Sequence, residues 1–232
     1  MENTKRQQQI LDYLYQNHFA SIEEISQNIY VSGATVRRDL QKLEDKGFVR
    51  TVYGGVVLSE YSNEVVPVSL RDRENAAIKE ILAQRASELI HDNDTVIFDS
   101  SSTVRRICRH IKNRKNLTVI TNNLRVCQEL KDSDVSVYCT GGALMKKRDC
   151  FLSHYAEEFL RQITATSLFF SSQGVLENGD IVDSSEEEIA LRKIMLSRVK
   201  NKIFLYDSSK LGKEHPFTLC NISEVTHIIT DK

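Results

Sequence analysis

Small polar residues follow five short apolar runs in the later part of the chain, and their types suit the binding of an anion. The first two runs are followed by Asp99-Ser100-Ser101-Ser102-Thr103 and Thr121-Asn122-Asn123. The other three are followed by Thr140-Gly141-Gly142, Ser171-Ser172-Gln173-Gly174 and Asp207-Ser208-Ser209-Lys210. Hydroxyl groups and the free backbone N–H groups at a helix start bind phosphate well, and Lys210, Arg192 or Lys193 could add positive charge. A phosphorylated polyol fits these groups better than a flat apolar ligand.

The elements that must position these residues alternate between strands and helices. Apolar, mostly β-branched or aromatic runs predict strands at residues 95–98, 117–120, 135–139, 167–171, 202–206 and 226–230. Helical stretches are predicted at residues 76–89, 104–111, 124–130, 155–161 and 186–199. This alternation is typical of a largely parallel α/β sheet with helices on both faces, which binds ligands at the strand carboxyl ends. One such loop alone is more often a cap or turn, but five at one edge favour a binding site.

Three helical patterns and a hairpin pattern occupy residues 1–58. The first helix is predicted over residues 5–17, and the second begins at Ser21, where Glu24 completes a capping box. The third is predicted over residues 33–46, after a break of three residues. A short helix, a tight turn and a further helix are typical of a helix-turn-helix, in which the second of the pair enters the major groove of DNA.

The outward face of the third helix carries side chains that can read DNA. Val36, Leu40 and Leu43 repeat at helical spacing and face inward. The polar side chains that are then exposed or at the flank are Thr35, Arg37, Arg38, Gln41 and Lys42. Because Arg pairs with guanine edges and Gln with adenine edges, this face is predicted to contact bases and phosphates.

The next segment, FVRTVYGGVVL, predicts a hairpin wing whose Arg50 and Tyr53 contact phosphates. Residues 1–58 hold seven basic and seven acidic residues, and this balance alone would favour a structural three-helix module. Five of the seven basic residues, however, lie in the third helix and the wing. This segregation favours DNA binding.

These residues resemble the recognition helix and wing of the DeoR family of bacterial transcription regulators. The matching positions are Ser32, Thr35, Val36, Arg37, Arg38, Asp39, Leu40, Leu43, Glu44, Gly47, Arg50, Gly54 and Gly55. The resemblance implies that this segment, including Ser32, binds operator DNA. We expect Asp39 to pair with a neighbouring Arg, because a carboxylate aimed at phosphate would repel it.

The resemblance covers almost the whole chain. The family carries an effector domain similar to ribose-phosphate isomerase and glucosamine-phosphate deaminase enzymes, and this domain typically senses a phosphorylated sugar. The positions that match it are Asp99, Ser100, Thr103, Thr121, Asn122, Gly141, Gly142, Glu188, Arg192, Met195, Asp207, Ser208, Ser209 and Lys210. Three positions depart from the pattern: Ser101 and Ser153 replace Gly, and Thr166 replaces Asp. The β-carbon of Ser101 narrows the approach of a ligand to the backbone.

Composition limits the class of protein. The 232 residues carry a formal net charge of −1, which excludes a uniformly basic nucleic-acid coat. The apolar runs are too short to cross a membrane and the amino terminus is not a secretory signal, so we expect a cytoplasmic protein. The scattered Cys and His residues predict no metal site, and no cofactor is expected.

We predict a winged helix-turn-helix DNA-binding domain at residues 1–58, a linker at 59–75 and an effector-sensing α/β domain at 76–232.

These features together predict a repressor of carbohydrate-metabolism genes, which releases double-stranded operator DNA when a phosphorylated sugar binds. A homo-oligomer, dimer or tetramer, is expected because one small winged domain binds DNA modestly. One alternative is an isomerase- or deaminase-like enzyme fused to a DNA-binding module, with Asp99, Asp207 and Glu188 as acid/base groups. Another is a DNA-binding scaffold without a ligand. The basic run Lys146-Lys147-Arg148 follows Gly141-Gly142 and could reach a ligand phosphate, but a solvated loop is the favoured interpretation.

Overall fold

The computed structural model describes residues 2–17, 19–52, 55–58, 71–72, 74–146 and 148–232. The chain divides into two compact units, Met1–Arg71 and Asp72–Lys232. Most of the predicted linker, namely residues 59–70 and 73, lies outside the described residues, as do Tyr53 and Gly54 of the predicted wing. The proposed domain limits therefore stay a prediction.

The first unit combines three helices with a three-stranded antiparallel sheet. Its elements are α1 Glu2–Asn17, β1 Phe19–Ala20, α2 Ile22–Asn28, α3 Gly33–Asp45, β2 Val49–Val52 and β3 Gly55–Leu58, with strand order β1-β3-β2. Ser21 and Glu24 form the predicted capping box at the start of α2. Val36, Leu40 and Leu43 of α3 are buried in one core with residues of α1 and α2. The predicted inward face of α3 is therefore confirmed.

The second unit alternates helices and strands. Its helices are α4 Ala76–Ser87, α5 Ser102–Arg105, α6 Cys108–Ile111, α7 Leu124–Leu130, α8 His154–Arg161 and α9 Glu186–Ser197. Its strands are β4 Thr95–Phe98, β5 Thr118–Thr121, β6 Ser136–Cys139, β7 Ala143–Met145, β8 Cys150–Leu152, β9 Ala165–Phe170, β10 Gly174–Val175, β11 Asp180–Asp183, β12 Val199–Leu205, β13 Phe217–Asn221 and β14 His227–Ile229.

Six of these strands form one parallel sheet in the order β14-β12-β9-β4-β5-β6. On one face, Phe98 and Phe169 are buried together with residues of α4 to α7. On the other face, Phe170 and Phe204 are buried with residues of α8 and α9. The predicted fold class, a largely parallel sheet covered by helices on both faces, is confirmed.

Some elements differ from the predictions. The antiparallel hairpin β7-β8 and the small sheet β10-β11-β13 were not predicted. The predicted helix at residues 104–111 is two short helices, because the N–H groups of Arg106 and Ile107 bond to carbonyls only three residues back. Such bonds tighten the chain into a 3₁₀-like turn, which separates α5 from α6.

Candidate functional site

The predicted base-reading residues lie on the outward side of α3. Arg37, Arg38 and Gln41 are exposed, and Thr35 and Lys42 are half-buried. The Gln41 side-chain amide donates to Asp45 Oδ1 at 3.0 Å, one turn further along the helix. An exposed pair of this kind is worth only a few tenths of a kcal/mol, so Gln41 can exchange Asp45 for a base edge at little cost.

The start and middle of α3 are fixed by two polar contacts. Ser32 Oγ accepts from the Thr35 backbone N–H at 3.3 Å and lies 3.0 Å from Thr35 Oγ1, so both hydroxyls take part in the helix cap. Asp39 is buried and accepts from Arg6 Nε of α1 at 2.5 Å. The predicted Arg partner of Asp39 is confirmed, although it comes from another helix. Arg50 is exposed in β2, and Tyr53 lies outside the described residues.

In the second unit, the loops after β4, β5, β6, β9 and β12 share what we call the carboxyl edge of the sheet. Asp99, directly after β4, is buried there. Its Oδ1 accepts from the Ser101 N–H at 2.9 Å and its Oδ2 from the Ser171 N–H at 3.1 Å. Burial raises the pKa of Asp99, while Arg192 opposes that shift. Asp99 therefore ties the loop after β4 to the loop after β9.

Arg192 of α9 is a buried cation surrounded by carboxylates. Its Nη2 lies 2.9 Å from Asp183 Oδ2 and 3.5 Å from Glu188 Oε2, and its Nε lies 3.6 Å from Asp99 Oδ2. Its Nη1 donates to the Ser171 carbonyl at 3.1 Å. Burial favours the neutral form of Arg192, but the three carboxylates outweigh burial and raise its pKa. The charge expected to meet a ligand is thus already compensated by protein groups.

Glu188 joins the same cluster from the first turn of α9. It is buried, and its Oε1 accepts from Ser100 Oγ at 2.9 Å. Its Oε2 accepts from Arg148 Nη1 at 2.5 Å. Arg148 is itself buried, so the expectation of a solvated loop is wrong for this residue. The reason is the long-range ion pair, which compensates both charges inside the protein.

The charges of this buried cluster can be counted. Three carboxylates, of Asp99, Asp183 and Glu188, face two guanidinium groups, of Arg148 and Arg192. With all five groups ionised, the formal sum is −1. Such a cluster does not attract a phosphate by itself, so a cation for an anionic ligand must come from elsewhere on the carboxyl edge.

The loop after β5 contains buried polar atoms without protein partners. Thr121 Oγ1 donates to the Phe98 carbonyl at 2.8 Å and accepts from the Asn123 N–H at 3.0 Å. Asn122 Nδ2 donates to the Phe151 carbonyl at 3.2 Å. Among the described residues, Asn122 Oδ1 and Asn123 Nδ2 are buried and have no hydrogen-bond partner. Because buried polar atoms are nearly always paired, these two atoms are suited to bind a ligand.

The three predicted ligand-site glycines differ in their surroundings. Gly141 has φ +64°, and a β-carbon there would meet nothing within 4 Å. A β-carbon at Gly142 would lie 2.2 Å from Ser153 Oγ, and one at Gly174 would lie 2.1 Å from the Lys213 carbonyl oxygen. Close packing within the protein therefore already accounts for glycine at positions 142 and 174.

The remaining predicted residues lie in the loops after β4 and β12. Ser101 Oγ caps α5 by accepting from the Val104 N–H at 3.2 Å, and Ser102 and Thr103 are buried in its first turn. After β12, Asp207 Oδ1 accepts from Asn75 Nδ2 at 2.9 Å, and Lys210 Nζ lies 3.8 Å from Glu74 Oε2. Lys210 is therefore a cation of the carboxyl edge that is outside the Arg192 cluster.

The structure thus brings Asp99, Ser100, Glu188 and Arg192 into one connected cluster. It adds Asp183, which the sequence did not identify, and Arg148, for which the sequence favoured a solvated loop. Asp183 ends the short strand β11, which was not predicted, and Arg148 stands in a basic run that resembles a surface loop. The described residues include no group of three His, Cys, Asp or Glu side chains that could hold a metal ion, and none of their helices is long and apolar enough to span a membrane.

Both units match known protein families. Residues 6–61 match the family described as the DeoR-like helix-turn-helix domain, and residues 74–232 match the DeoR C terminal sensor domain. The lactose phosphotransferase system repressor of Staphylococcus epidermidis is 34% identical, over 90% of this chain and 84% of its own length. The HTH-type transcriptional repressor GlcR of Bacillus subtilis is 31% identical, over 96% and 86%.

Comparison with solved structures finds similar chains at low sequence identity. The eIF2B delta subunit of Chaetomium thermophilum has a TM-score of 0.50 and 15% identity, covering 90% of this chain and 75% of that one. Ribose 5-phosphate isomerase A of Methanocaldococcus jannaschii has a TM-score of 0.45 and 16% identity, covering 59% and 55%. The first comparison describes a shared arrangement of strands and helices only, and the second supports no conclusion about activity.

Proposed function

The chain belongs to the DeoR family of transcriptional regulators, as the sequence resemblance indicated, and from this premise we propose that it represses carbohydrate-metabolism genes under the control of a phosphorylated sugar. The observation that carries the proposal is the exposed face of Arg37, Arg38 and Gln41 on α3. The same chain contains a buried polar cluster in its second unit, where an effector can bind. Two relatives are named as repressors, and one of them is a lactose phosphotransferase system repressor. These names support repression rather than activation, and carbohydrate-metabolism genes as the regulated class.

In the first unit, different side chains contact the bases and the phosphates of DNA. Arg38 and Gln41 contact base edges, and Lys42, Arg37 and Arg50 contact phosphates. Ser32 and Thr35 hold the start of α3 and add hydroxyl contacts. Tyr53 is included on the sequence prediction alone.

The effector side places the ligand at the carboxyl edge. Lys210 binds the phosphate, because Arg148 and Arg192 are held in close ion pairs of 2.5 Å and 2.9 Å, whereas the carboxylate of Glu74 is 3.8 Å from Lys210 Nζ. Asn122 Oδ1, a buried atom without a partner among the described residues, binds a sugar hydroxyl. The full proposed set is Asp99, Ser100, Ser101, Ser102, Thr103, Thr121, Asn122, Gly141, Gly142, Gly174, Glu188, Arg192, Asp207 and Lys210.

We propose that the second unit binds its sugar phosphate without converting it. General acid/base catalysis needs a group that can exchange a proton with the substrate. Asp99 and Glu188 instead hold Arg192, Arg148 and the Ser171 N–H. The protein acts in the cytoplasm as a dimer or tetramer, because the expected modest affinity of one winged unit requires paired half-sites.

Two measurements test the proposed function. Selection from a pool of random double-stranded DNA should enrich a repeated half-site, and a thermal-shift panel of sugar phosphates should identify at least one stabilising compound. Addition of that compound should release the selected DNA. Enrichment of no sequence would refute the DNA-binding side, and isomerisation or deamination of the compound at a sustained rate would refute the ligand-binding-only view.

A further inference from the structure

Three residues at the start of the second unit contact both sides of the carboxyl edge; we call Asp72, Glu74 and Asn75 the strap. On one side, Asp72 Oδ1 lies 3.0 Å from Arg105 Nη2 and its Oδ2 lies 3.2 Å from Arg125 Nη1. Arg105 belongs to α5, which follows β4, and Arg125 to α7, which follows β5. Asp72 therefore anchors the strap to the β4 and β5 side of the sheet.

On the other side, the strap contacts the loop after β12. Asn75 Nδ2 donates to Asp207 Oδ1 at 2.9 Å and to Ser209 Oγ at 3.1 Å. Asn75 has φ +50°, a left-handed conformation that Asn tolerates better than most residues. Its carbonyl accepts from the Lys79 N–H and so begins α4. Since β9 lies between β12 and β4 in the sheet, the strap crosses the carboxyl edge at the end of β9.

The strap also supplies an anion to the cation that the effector requires. Glu74 Oε2 lies 3.8 Å from Lys210 Nζ, and the two side chains are only 13% and 14% exposed. A carboxylate this close to Lys210 occupies the position that a phosphate would take. The two anions cannot share it, because like charges in a poorly solvated site repel strongly.

We propose that Glu74 is a tethered competitor of the effector, which the phosphate of the sugar displaces from Lys210. This inference rests on the proposed function, since it assumes that Lys210 receives a phosphate. Once Glu74 is displaced, the strap keeps its ion pairs at Asp72 but loses one of its contacts with the loop after β12, which leaves the Asn75 hydrogen bonds to Asp207 and Ser209 to hold that side alone. The strap is the first part of the second unit in the chain, so its displacement changes the start of that unit.

The decisive variant is Glu74→Gln, which keeps the shape of the side chain and removes its charge. Binding of inorganic phosphate, glucose 6-phosphate, fructose 6-phosphate and ribose 5-phosphate is measured by calorimetry on the full chain. We expect Glu74→Gln to lower the apparent Kd for the phosphate compounds at least about threefold, as for the loss of one partly buried ion pair. The matched control is Glu158→Gln, which removes a carboxylate paired with Arg161 at 3.6 Å on α8 and should leave the Kd unchanged.

Hydrogen exchange of the unmodified protein gives a second readout that needs no variant. Ligands usually protect amides, but here a bound sugar phosphate should increase exchange at residues 74–78 while α9 stays protected. Unchanged or weaker binding by Glu74→Gln, beside a wild-type protein that binds, would overturn the strap inference alone. Failure of all four compounds to bind either protein would overturn the effector proposal together with it. Binding by Glu74→Gln only would be the strongest support.

Discussion

Replacing Arg192 with Met should expose the energetic role of the buried charge cluster. Met approximates the length of the side chain but removes the cation that Asp99, Asp183 and Glu188 share. Removing one partner of a buried ion pair costs about 3–5 kcal/mol, because the remaining charge is left uncompensated. For a unit of this size, each kcal/mol lowers Tm by about 2–4 °C. We therefore expect Tm of the second unit to fall by about 10 °C near neutral pH.

The loss should depend on pH, and its sign follows from Asp99. Burial raises the pKa of Asp99, and Arg192 is the main group that lowers it. Without Arg192 the pKa of Asp99 rises further in the folded state. A carboxyl with a raised folded pKa stabilises the fold below its unfolded pKa of about 4 and loses that contribution as the pH rises through the folded value. The destabilisation of Arg192→Met should therefore be smallest near pH 4–5 and largest at pH 8.

The assay is thermal unfolding followed by far-ultraviolet circular dichroism at pH 5 and pH 8. The control is Arg161→Met, because Arg161 pairs with Glu157 and Glu158 at the exposed surface of α8. Exposed pairs contribute about 0–1 kcal/mol, so the control should shift Tm by a few degrees at most. If both variants lose the same stability, and neither loss changes with pH, the reasoning about the Arg192 cluster is wrong.

Three further changes test separate parts of the molecule. Arg38→Ala should weaken binding to selected operator DNA by about tenfold or more, measured by fluorescence anisotropy, while stabilisation by sugar phosphate persists. The double variant Ser100→Ala, Lys210→Ala should keep its DNA affinity but lose most of the thermal shift with sugar phosphate. Gly174→Ala should lower the free energy of unfolding by about 2 kcal/mol, since its β-carbon would lie 2.1 Å from the Lys213 carbonyl oxygen.

The outcomes that would contradict these expectations are distinct. Loss of both DNA binding and ligand stabilisation in Arg38→Ala would mean that the two functions do not reside in separate units. An unaltered effector response in the double variant would remove Ser100 and Lys210 from the ligand site. An unchanged denaturation midpoint for Gly174→Ala would show that the backbone near Lys213 can shift to accommodate the β-carbon without loss of stability. Arg161→Ala serves as the control for Arg38→Ala, because it removes an exposed Arg from the second unit.

The elements with strong periodicity could be predicted from sequence. Val36, Leu40 and Leu43 repeat at helical spacing, and all three are buried against α1 and α2. The run from Thr95 to Phe98 became the parallel strand β4, with Asp99 at its carboxyl end as expected. The apolar spacing predicts these elements because the side chains on one face of each must all be buried in the same large core.

The elements that the sequence did not reveal are short or depend on distant partners. Strand β10 contains only Gly174 and Val175, too few residues for an alternating pattern. Arg148 resembles its exposed neighbour Lys146 in sequence, and only its ion pair with Glu188, 40 residues later, explains its burial. The strap lies within the linker predicted at residues 59–75, because nothing local in the residues around Glu74 indicates that Lys210 lies beside them.

The serine at position 101, where the family pattern has Gly, can be interpreted from its backbone. Ser101 has φ −75° and ψ 147°, an ordinary extended conformation, so no left-handed backbone requires Gly at this position. Its hydroxyl caps α5 through the Val104 N–H, and such a cap typically contributes about 1 kcal/mol. Any effect of Ser101 on the choice of sugar must therefore come from the volume of its β-carbon and hydroxyl. The backbone path around Asp99 does not need to change.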